Sequence, residues 1–334
     1  MKIPSIHSMR DLDSDIHLGV FSGGLNMPGS TYHVPVMAKQ IKAYLQPGPG
    51  MLFLDGTAGG GGHSALLLQA GAEVIGLDQD PQALAECRER LKAFESSARF
   101  VESNFRDACE ALDNLGEERL LNGALLDIGV SSHQLDEAER GFSLMREGPL
   151  DMRMSPRAEQ SAADVVNTLP AAELTRIFQQ YGEEQNARRI AAKIVEVRAT
   201  HPFKTTFDLV KAVESVSPRR SAKHPATKIF QSLRIHVNDE LDALRHALHA
   251  LPERLAPGAR LAIITFHSLE DRIVKVFFRE HSREWIDRPE WPKPRRNPDR
   301  LFKLLTPHPI APSEGEMQRN PRSRSAKLRV VEKI

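Results

Sequence analysis

The stretch Met51-Leu-Phe-Leu-Asp55-Gly-Thr-Ala-Gly-Gly-Gly-Gly-His63 decides the architecture. A short apolar run closed by an acid reads as a buried strand. Four consecutive glycines then let the backbone turn sharply and pass close to a ligand, free of Cβ clashes. A helix follows over Ser64–Ala70 and stops at Gly71. Strand, glycine turn and helix in that order are the opening unit of an α/β sheet that binds a ligand at its strand ends.

Working outward, the same rhythm repeats. Val36–Leu45 reads as a short helix before the first strand, and Glu73–Leu77 as the second strand. Asp80-Pro81 has the N-cap and first-turn proline of a helix that runs to about Phe94. Strands near Arg99–Glu102 and over Ala124–Asp127 follow, so the segment predicts a parallel, doubly wound sheet. The alternation then breaks. Helices are expected over Pro170–Tyr181, Gln185–Ala199 and Thr206–Val216, with almost no strand signal between about Leu135 and Pro225. The α/β pattern returns with one long helix, Thr227–Leu251, the strand Arg260–Phe266 and the helix Leu269–His281. Late apolar runs lie at Leu301–Leu305 and Lys327–Val331. The expected organisation is a flexible tail over 1–32, an α/β domain built from 33–135 and 226–334, and an inserted all-helical domain over 136–225.

The bulk composition narrows the function classes. In 334 residues, 45 Lys and Arg stand against 44 Asp and Glu, so any nucleic-acid contact must come from local clusters. The two cysteines, Cys87 and Cys109, form neither a disulfide framework nor a zinc pattern, which points to a reducing, cytoplasmic compartment, and no ligand-spaced cluster suggests a metal. No apolar stretch approaches the ~20 residues of a membrane span, and the N-terminal segment lacks the apolar core of a signal peptide. Two basic clusters stand out. One comprises Arg188, Arg189, Lys193, Arg198, Lys204, Lys211, Arg219, Arg220, Lys223 and Lys228; the other comprises Lys293, Arg295, Arg296, Arg300, Arg319, Arg322, Arg324 and Lys327. They suit phosphate contact, although solvated helix faces also carry such runs.

Two cofactor classes fit the glycine turn. Gly60-x-Gly62-x-x-Ala65 matches the dinucleotide fingerprint, with a pyrophosphate on the helix N-terminus. Asp55, however, faces the same space and is awkward for a pyrophosphate, whereas it would welcome the ammonium of S-adenosylmethionine. Asp78, closing the second strand, is placed to hold a ribose diol. A methyltransferase is therefore favoured over a dinucleotide oxidoreductase. A noncatalytic RNA-binding assembly factor on the same fold is the third reading.

Beyond the fourth strand the chain resembles the RsmH (MraW) family. The resemblance rests on Asp127-Ile-Gly-Val-Ser-Ser-His-Gln134-Leu-Asp136, Glu139-Arg140-Gly-Phe-Ser-Leu-Met-Arg146 and Gly148-Pro-Leu-Asp-Met-Arg-Met154. It continues in Tyr181-Gly-Glu-Glu184, His224-Pro-Ala-Thr227, Phe230-Gln231, Arg234-Ile-x-Val-Asn238, Phe266-His-Ser-Leu-Glu-Asp-Arg272 and Asn320-Pro-Arg-Ser-Arg-Ser325. It covers the chain from about His33 onward. What it implies is a class I S-adenosyl-L-methionine methyltransferase (Rossmann-like) sheet with an inserted helical domain. The implied reaction is methylation of the exocyclic N4 amine of a decoding-region cytidine in 16S rRNA, within the small ribosomal subunit. The implied cofactor contacts are Gly61, Gly62 and His63 at the methionine part, Asp78 at the ribose and Phe105 near the adenine, completed by Asp127 and Gln134. Neither DNA nor a membrane is expected as a partner, and monomer and dimer are both compatible with the sequence.

The chemistry at the base is less legible. Many amino-methyltransferases carry an Asp/Asn-Pro-Pro-aromatic motif after the fourth strand, and here that position reads Asp127-Ile-Gly-Val. Asp127, or the Ser131/Ser132 turn, is the expected acceptor for the amine, with Phe266 or His267 near the base. Glu270 and Asp271 are expected to be structural, through a capping box Ser268-x-x-Asp271.

Overall fold

The computed structural model describes residues 35–218 and 224–334. The expected tail over 1–32, and Arg219, Arg220 and Lys223 of the basic loop, lie outside these residues.

Apolar, β-rich runs form the strands β1 (Leu52–Asp55), β2 (Glu73–Asp78), β3 (Ala98–Glu102), β4 (Leu121–Asp127) and β5 (Leu255–Thr265). A small ribbon pairs β6 (Trp285–Ile286) with β7 (Arg295–Arg296), and β8 (Phe302–Leu304) and β9 (Lys327–Lys333) complete the set. The main sheet has seven strands in the order β3-β2-β1-β4-β5-β9-β8. Its first five strands are parallel, while β9 runs antiparallel between β5 and β8, so the two late apolar runs extend the sheet by antiparallel pairing. Strand order reverses at β1, and the crevice between the carboxyl ends of β1 and β4 is where such sheets bind ligands.

Helices α1 (Ala38–Leu45), α2 (Gly62–Gln69), α3 (Pro81–Arg90) and α4 (Ala108–Asn114) accompany the first strands. A short α5 (Ser132–Asp136) leads into the helical segment of α6 (Ala162–Thr168), α7 (Ala171–Gly182), α8 (Ala187–Arg198) and α9 (Thr206–Val216). Then follow α10 (Thr227–Val237), α11 (Glu240–Ala250), α12 (Ser268–Ser282) and α13 (Glu314–Arg319). The single helix expected over Thr227–Leu251 is in fact two. Asp239 sits in the left-handed region at φ 49°, Asn238 closes α10, and its side-chain amide turns back to the carbonyls of Arg234 and Met152. Hydrophobic periodicity runs through the break, which is why the pattern alone did not show it.

Buried apolar side chains gather in two clusters. One lies between the sheet and α4, α11 and α12, and includes Leu54, Leu126, Leu244, Ile263 and Phe278. The other runs from Phe142 to Leu233 and is built by α6–α10, with Phe178, Ile190 and Leu209 fully buried. Ile229, Phe230 and Leu233 of α10 belong to this helical cluster, although 226 onward was expected to join the α/β part. Two glycines set the turn that enters it. Gly141 adopts φ 71°, and a Cβ there would collide with the Pro149 carbonyl; one on Gly148 would collide with the Ala138 carbonyl.

Phe178 is completely enclosed. Truncating it by Phe178→Ala is expected to cost about 3–5 kcal/mol through lost burial and the cavity left behind. Urea unfolding measures this, and a loss below about 1 kcal/mol would show that the helical cluster is loosely packed.

Candidate active site at the β1–β4 crevice

The glycine turn is held from three sides. Gly56 and Ala58 donate backbone bonds to Leu125 of β4 and Leu77 of β2, at 2.9 and 2.8 Å. The Asp127 N–H donates to the Thr57 hydroxyl at 2.7 Å, which ties the end of β4 to the turn. Asp78 accepts the Gly59 N–H at 2.8 Å on one oxygen and the Asp80 N–H at 2.9 Å on the other. Gly61 has φ 77°, and a Cβ there would lie 2.8 Å from Cys87 Sγ and 2.9 Å from Leu91, so its missing side chain is the condition for seating the turn on α3. That packing pushes the Cys87 thiol up to about 12 through burial, leaving it unreactive. A Cβ on Gly62 would instead press on Pro35, at 3.2 Å.

Within this frame the sequence-predicted residues converge. Asp55 is fully buried, accepts from the Ser64 hydroxyl at 2.7 Å, and burial outweighs its partners to raise its carboxyl above the ordinary range. His63, on the first turn of α2, lies 3.4 Å from Asp127 Oδ2. The contact is within ion-pair range but off the line of a hydrogen bond, and both imidazole nitrogens and Asp127 Oδ1 are buried without a hydrogen-bond partner. Burial pulls the imidazole down, yet Asp127, Asp55 and Glu316 together outweigh it and hold it above its ordinary value. Orphaned buried polar atoms are uncommon in folded proteins and mark places where a ligand completes the bonding. Phe105 opens a single 3-10 turn after β3 and packs partly buried beside Gly56. Together these groups offer acceptors, a ring and two carboxylates along one crevice, a donor set that fits an amino-acid ammonium and an adenosine.

Gln134 and the serines are placed differently. The Ser131 hydroxyl caps α5 by accepting the Gln134 N–H, and the Gln134 side chain returns to the Ser131 N–H as a capping box. The Gln134 amide also donates to Asp80 Oδ2 at 3.0 Å. Gln134 therefore already shapes the loop beneath the crevice. Ser132 occupies the first position of α5. Asp80 was read only as a helix cap, a role it keeps by accepting from Gln82 N. It is also 1% exposed and binds Arg140 Nη1 at 2.6 Å, while Arg140 in turn donates to the carbonyls of Arg153 and Met154.

Two further readings are corrected by geometry. The cap of α12 is His267 with Glu270, one residue earlier than expected, whereas Asp271 binds Arg329 at 2.7 Å and Lys327 at 3.3 Å on β9. Both acids are structural in this sense. Sequence reasoning found no metal-spaced cluster, but Glu240, His267 and Glu270 place ligand atoms within 4.8 Å of one another. The positive charge there is Arg234, which grips Glu240 through two bonds of 2.7 and 2.8 Å. Their wide spacing along the chain hid this group. Of the first basic cluster, Arg198 donates to the Val166 and Leu169 carbonyls, Lys193 pairs with Glu196, and Lys228 binds the Glu183 carbonyl. Arg188, Arg189, Lys204 and Lys211 stay exposed.

A five-strand parallel half-sheet extended by antiparallel strands, with acids at the ends of β1, β2 and β4, defines a class I S-adenosyl-L-methionine-dependent methyltransferase. Comparison with known proteins agrees. The MraW methylase family matches residues 30–334, and the chain belongs to that family. The chain is 49% identical over 309 residues to ribosomal RNA small subunit methyltransferase H of Heliobacterium mobile, covering 91% of this chain and 99% of the relative. It is 48% identical over 303 residues to the protein of the same name from Rhizobium meliloti (strain 1021), covering 90% and 87%. Among solved structures, an rRNA methylase from Streptococcus thermophilus aligns with a TM-score of 0.41 and 11% identity, covering 89% of this chain and 93% of that one. Among the described residues, no helix is long and apolar enough to cross a membrane.

Burial raises the Asp78 carboxyl to about 6 despite its two backbone donors. A folded value above the ordinary carboxylate one means that protonation favours the fold. Its stabilising effect is complete below about pH 4 and is lost as pH rises through about 6. In the unliganded protein, Asp78→Asn is expected to remove that part of the fall in melting temperature between pH 4.5 and 7. Identical slopes for the two proteins would show that Asp78 titrates normally.

Proposed function

We propose that this protein transfers a methyl group from S-adenosyl-L-methionine to the N4 amine of a decoding-region cytidine in 16S rRNA, with the assembled small subunit as substrate. The single observation that carries the catalytic part is Asp127 Oδ1, a buried acceptor without a partner at the end of β4. The names of the relatives support the rRNA substrate. A cytosine in a ribosomal helix must reach the crevice single-stranded or flipped out.

Gly61, Gly62 and His63 would line the methionine part, Asp78 the ribose and Phe105 the adenine, with Asp127 and Gln134 closing the set. The bound cofactor supplies an electrophilic methyl on a sulfonium. The cytosine amine is a poor nucleophile because its lone pair is delocalised into the ring. Asp127 Oδ1 would accept one amine N–H, turn the lone pair toward the methyl and take the proton as the C–N bond forms and the methyl–sulfur bond breaks, the sulfonium leaving as a neutral thioether. Alignment of the two reactants supplies up to roughly 7–11 kcal/mol of the barrier reduction. The Ser131 oxygen is already an acceptor for the α5 cap, so its O–H is left to donate and to fix the loop. Phe266 approaches Gly129 across the mouth of the crevice, where it would meet the base edge. The 136–225 segment would form a helical domain facing the subunit, presenting Arg188 and Arg189 of α8.

Methyl-labelled cofactor incubated with unmodified small subunits, naked rRNA and large subunits tests the reading. Label in N4-methylcytidine, chiefly from small subunits, is the expected outcome. Tight cofactor binding without transfer to any of them would favour the assembly-factor role instead. Asp127→Asn is expected to lower turnover by at least about 100-fold, the lower range for a positioned proton acceptor. Full turnover and unchanged cofactor affinity in that variant would remove Asp127 from the mechanism.

A further inference from the structure

The chain contains two tryptophans, Trp285 and Trp291, and both lie in one basic ribbon after α12. Trp285 is 52% exposed in a protein whose other large apolar side chains are mostly buried. It pairs across β6–β7 with Arg296, whose guanidinium sits 5.7 Å from the Trp285 ring centre. Trp291, at the turn of the ribbon, is flanked by the guanidinium groups of Arg288 at 5.0 Å and Arg295 at 4.7 Å. Arg288, Arg295 and Arg296 make no ion pair among the described residues, although Glu284, Asp287 and Glu290 are close in sequence. The ribbon is anchored firmly. Asn297 is buried and donates its side-chain amide to the Glu280 and Arg283 carbonyls at 2.9 and 3.0 Å, and its N–H to the Glu284 carbonyl at 2.9 Å. These bonds complete the C-terminus of α12, so ribbon and helix are joined rigidly.

We propose that this ribbon is a docking platform for an unpaired stretch of RNA, with Trp285 stacking on a base and Arg288, Arg295 and Arg296 bonding the flanking phosphates. The argument rests on charge and shape together. A guanidinium laid on an indole loses little freedom when it binds, and its N–H edge remains directed outward, the geometry that suits phosphate. An exposed indole beside such cations is the combination by which single-stranded nucleic acids are held, because every base has a stacking face. A paired helix presents no free base face to Trp285. The N-terminus of α12 stands at the crevice and its 15 residues span about 22 Å. The platform therefore lies about one α12 length, roughly 20 Å, from the crevice, outside the catalytic machinery. This assignment rests on the rRNA reading above.

Because no other tryptophan exists in the chain, tryptophan emission excited at the red edge, where the tyrosines do not absorb, reports on this surface alone. The full-length protein would be titrated with an unstructured 12-nucleotide RNA and with its abasic counterpart. Quenching by the RNA is expected, with affinity about 5- to 100-fold weaker for the abasic strand and for Trp285→Ala binding the intact RNA, as loss of one stacked base implies. Combined replacement of Arg288, Arg295 and Arg296 by Ala should reduce the salt dependence of log affinity by about two. Both variants should keep cofactor affinity and melting temperature, which separates a binding defect from misfolding. Unaltered fluorescence, equal binding of the abasic strand, or wild-type RNA affinity in both variants would overturn the proposal. So would quenching by ribosomal proteins but not by RNA, which would make the ribbon a protein-docking site. Since binding is read without methyl transfer, RNA-dependent quenching with no label incorporation would sink the proposed reaction and leave the platform standing.

Discussion

Asp80 lies almost wholly out of water, and a carboxylate at that depth persists only when its lone pairs are taken. Three segments take them: the start of α3 through Gln82, α5 through Gln134, and the turn after it through Arg140. Arg140 then carries the connection to the backbone of Arg153 and Met154, and Asn238 fastens the same loop by accepting the Met154 N–H. A buried pair of this sort adds little net stability, yet removing one partner costs several kcal/mol because the other charge is stranded. The contact thus specifies geometry. It sets the loop below Asp127 relative to the end of β2, where Asp78 stands one residue pair away.

The crevice between β1 and β4 follows from that placement. Asp55, Asp78 and Asp127 close three adjacent parallel strands, so sheet register alone brings three acids to one edge. Close acids repel and resist desolvation, and the fold answers with His63, whose imidazole is held above its ordinary value by the acids around it. Glu316 on α13 contributes to this from late in the chain, and its carboxylate also accepts the Met37 N–H at 2.6 Å. The crevice is therefore assembled from both ends of the described chain as well as from the sheet.

Much of this could be read from sequence, for identifiable reasons. The strand–glycine–helix unit and the Asp80-Pro81 helix start are local signals, and they placed β1, α2, β2 and the start of α3 to within a residue or two; α3 itself stops at Arg90, and the stretch to Phe94 is a separate 3-10 turn. The break at Asp239 was missed because a left-handed residue leaves no mark on apolar periodicity. The cap of α12 was displaced because Ser268 is the commoner capping residue, while His267 does the work here. Arg198 looked like a phosphate ligand until its two carbonyl partners came from a distant helix end. The Glu240–His267–Glu270 group and the second role of Asp80 were invisible for the same reason: both depend on contacts across long chain separations. Of the seven expected cofactor contacts, Asp78 was also legible from its place at the end of the second strand, while the others came from family resemblance; the serine turn was expected only from its position after the fourth strand. Geometry gathers Asp55, His63 and Asp127 and gives Gln134 a visible structural occupation.

The antiparallel insertion of β9 between β5 and β8 has a consequence for biosynthesis. Every other strand of the sheet leaves the ribosome before β9, so β5 must wait with one edge unpaired, Asp271 without Arg329, and β8 without its only neighbour. An open, apolar β5 edge is a template for pairing with other chains. A premature stop or a proteolytic cut after α12 would accordingly leave a nearly complete protein that is both inactive and prone to aggregate. Quality control of this fold is concentrated in its final strand.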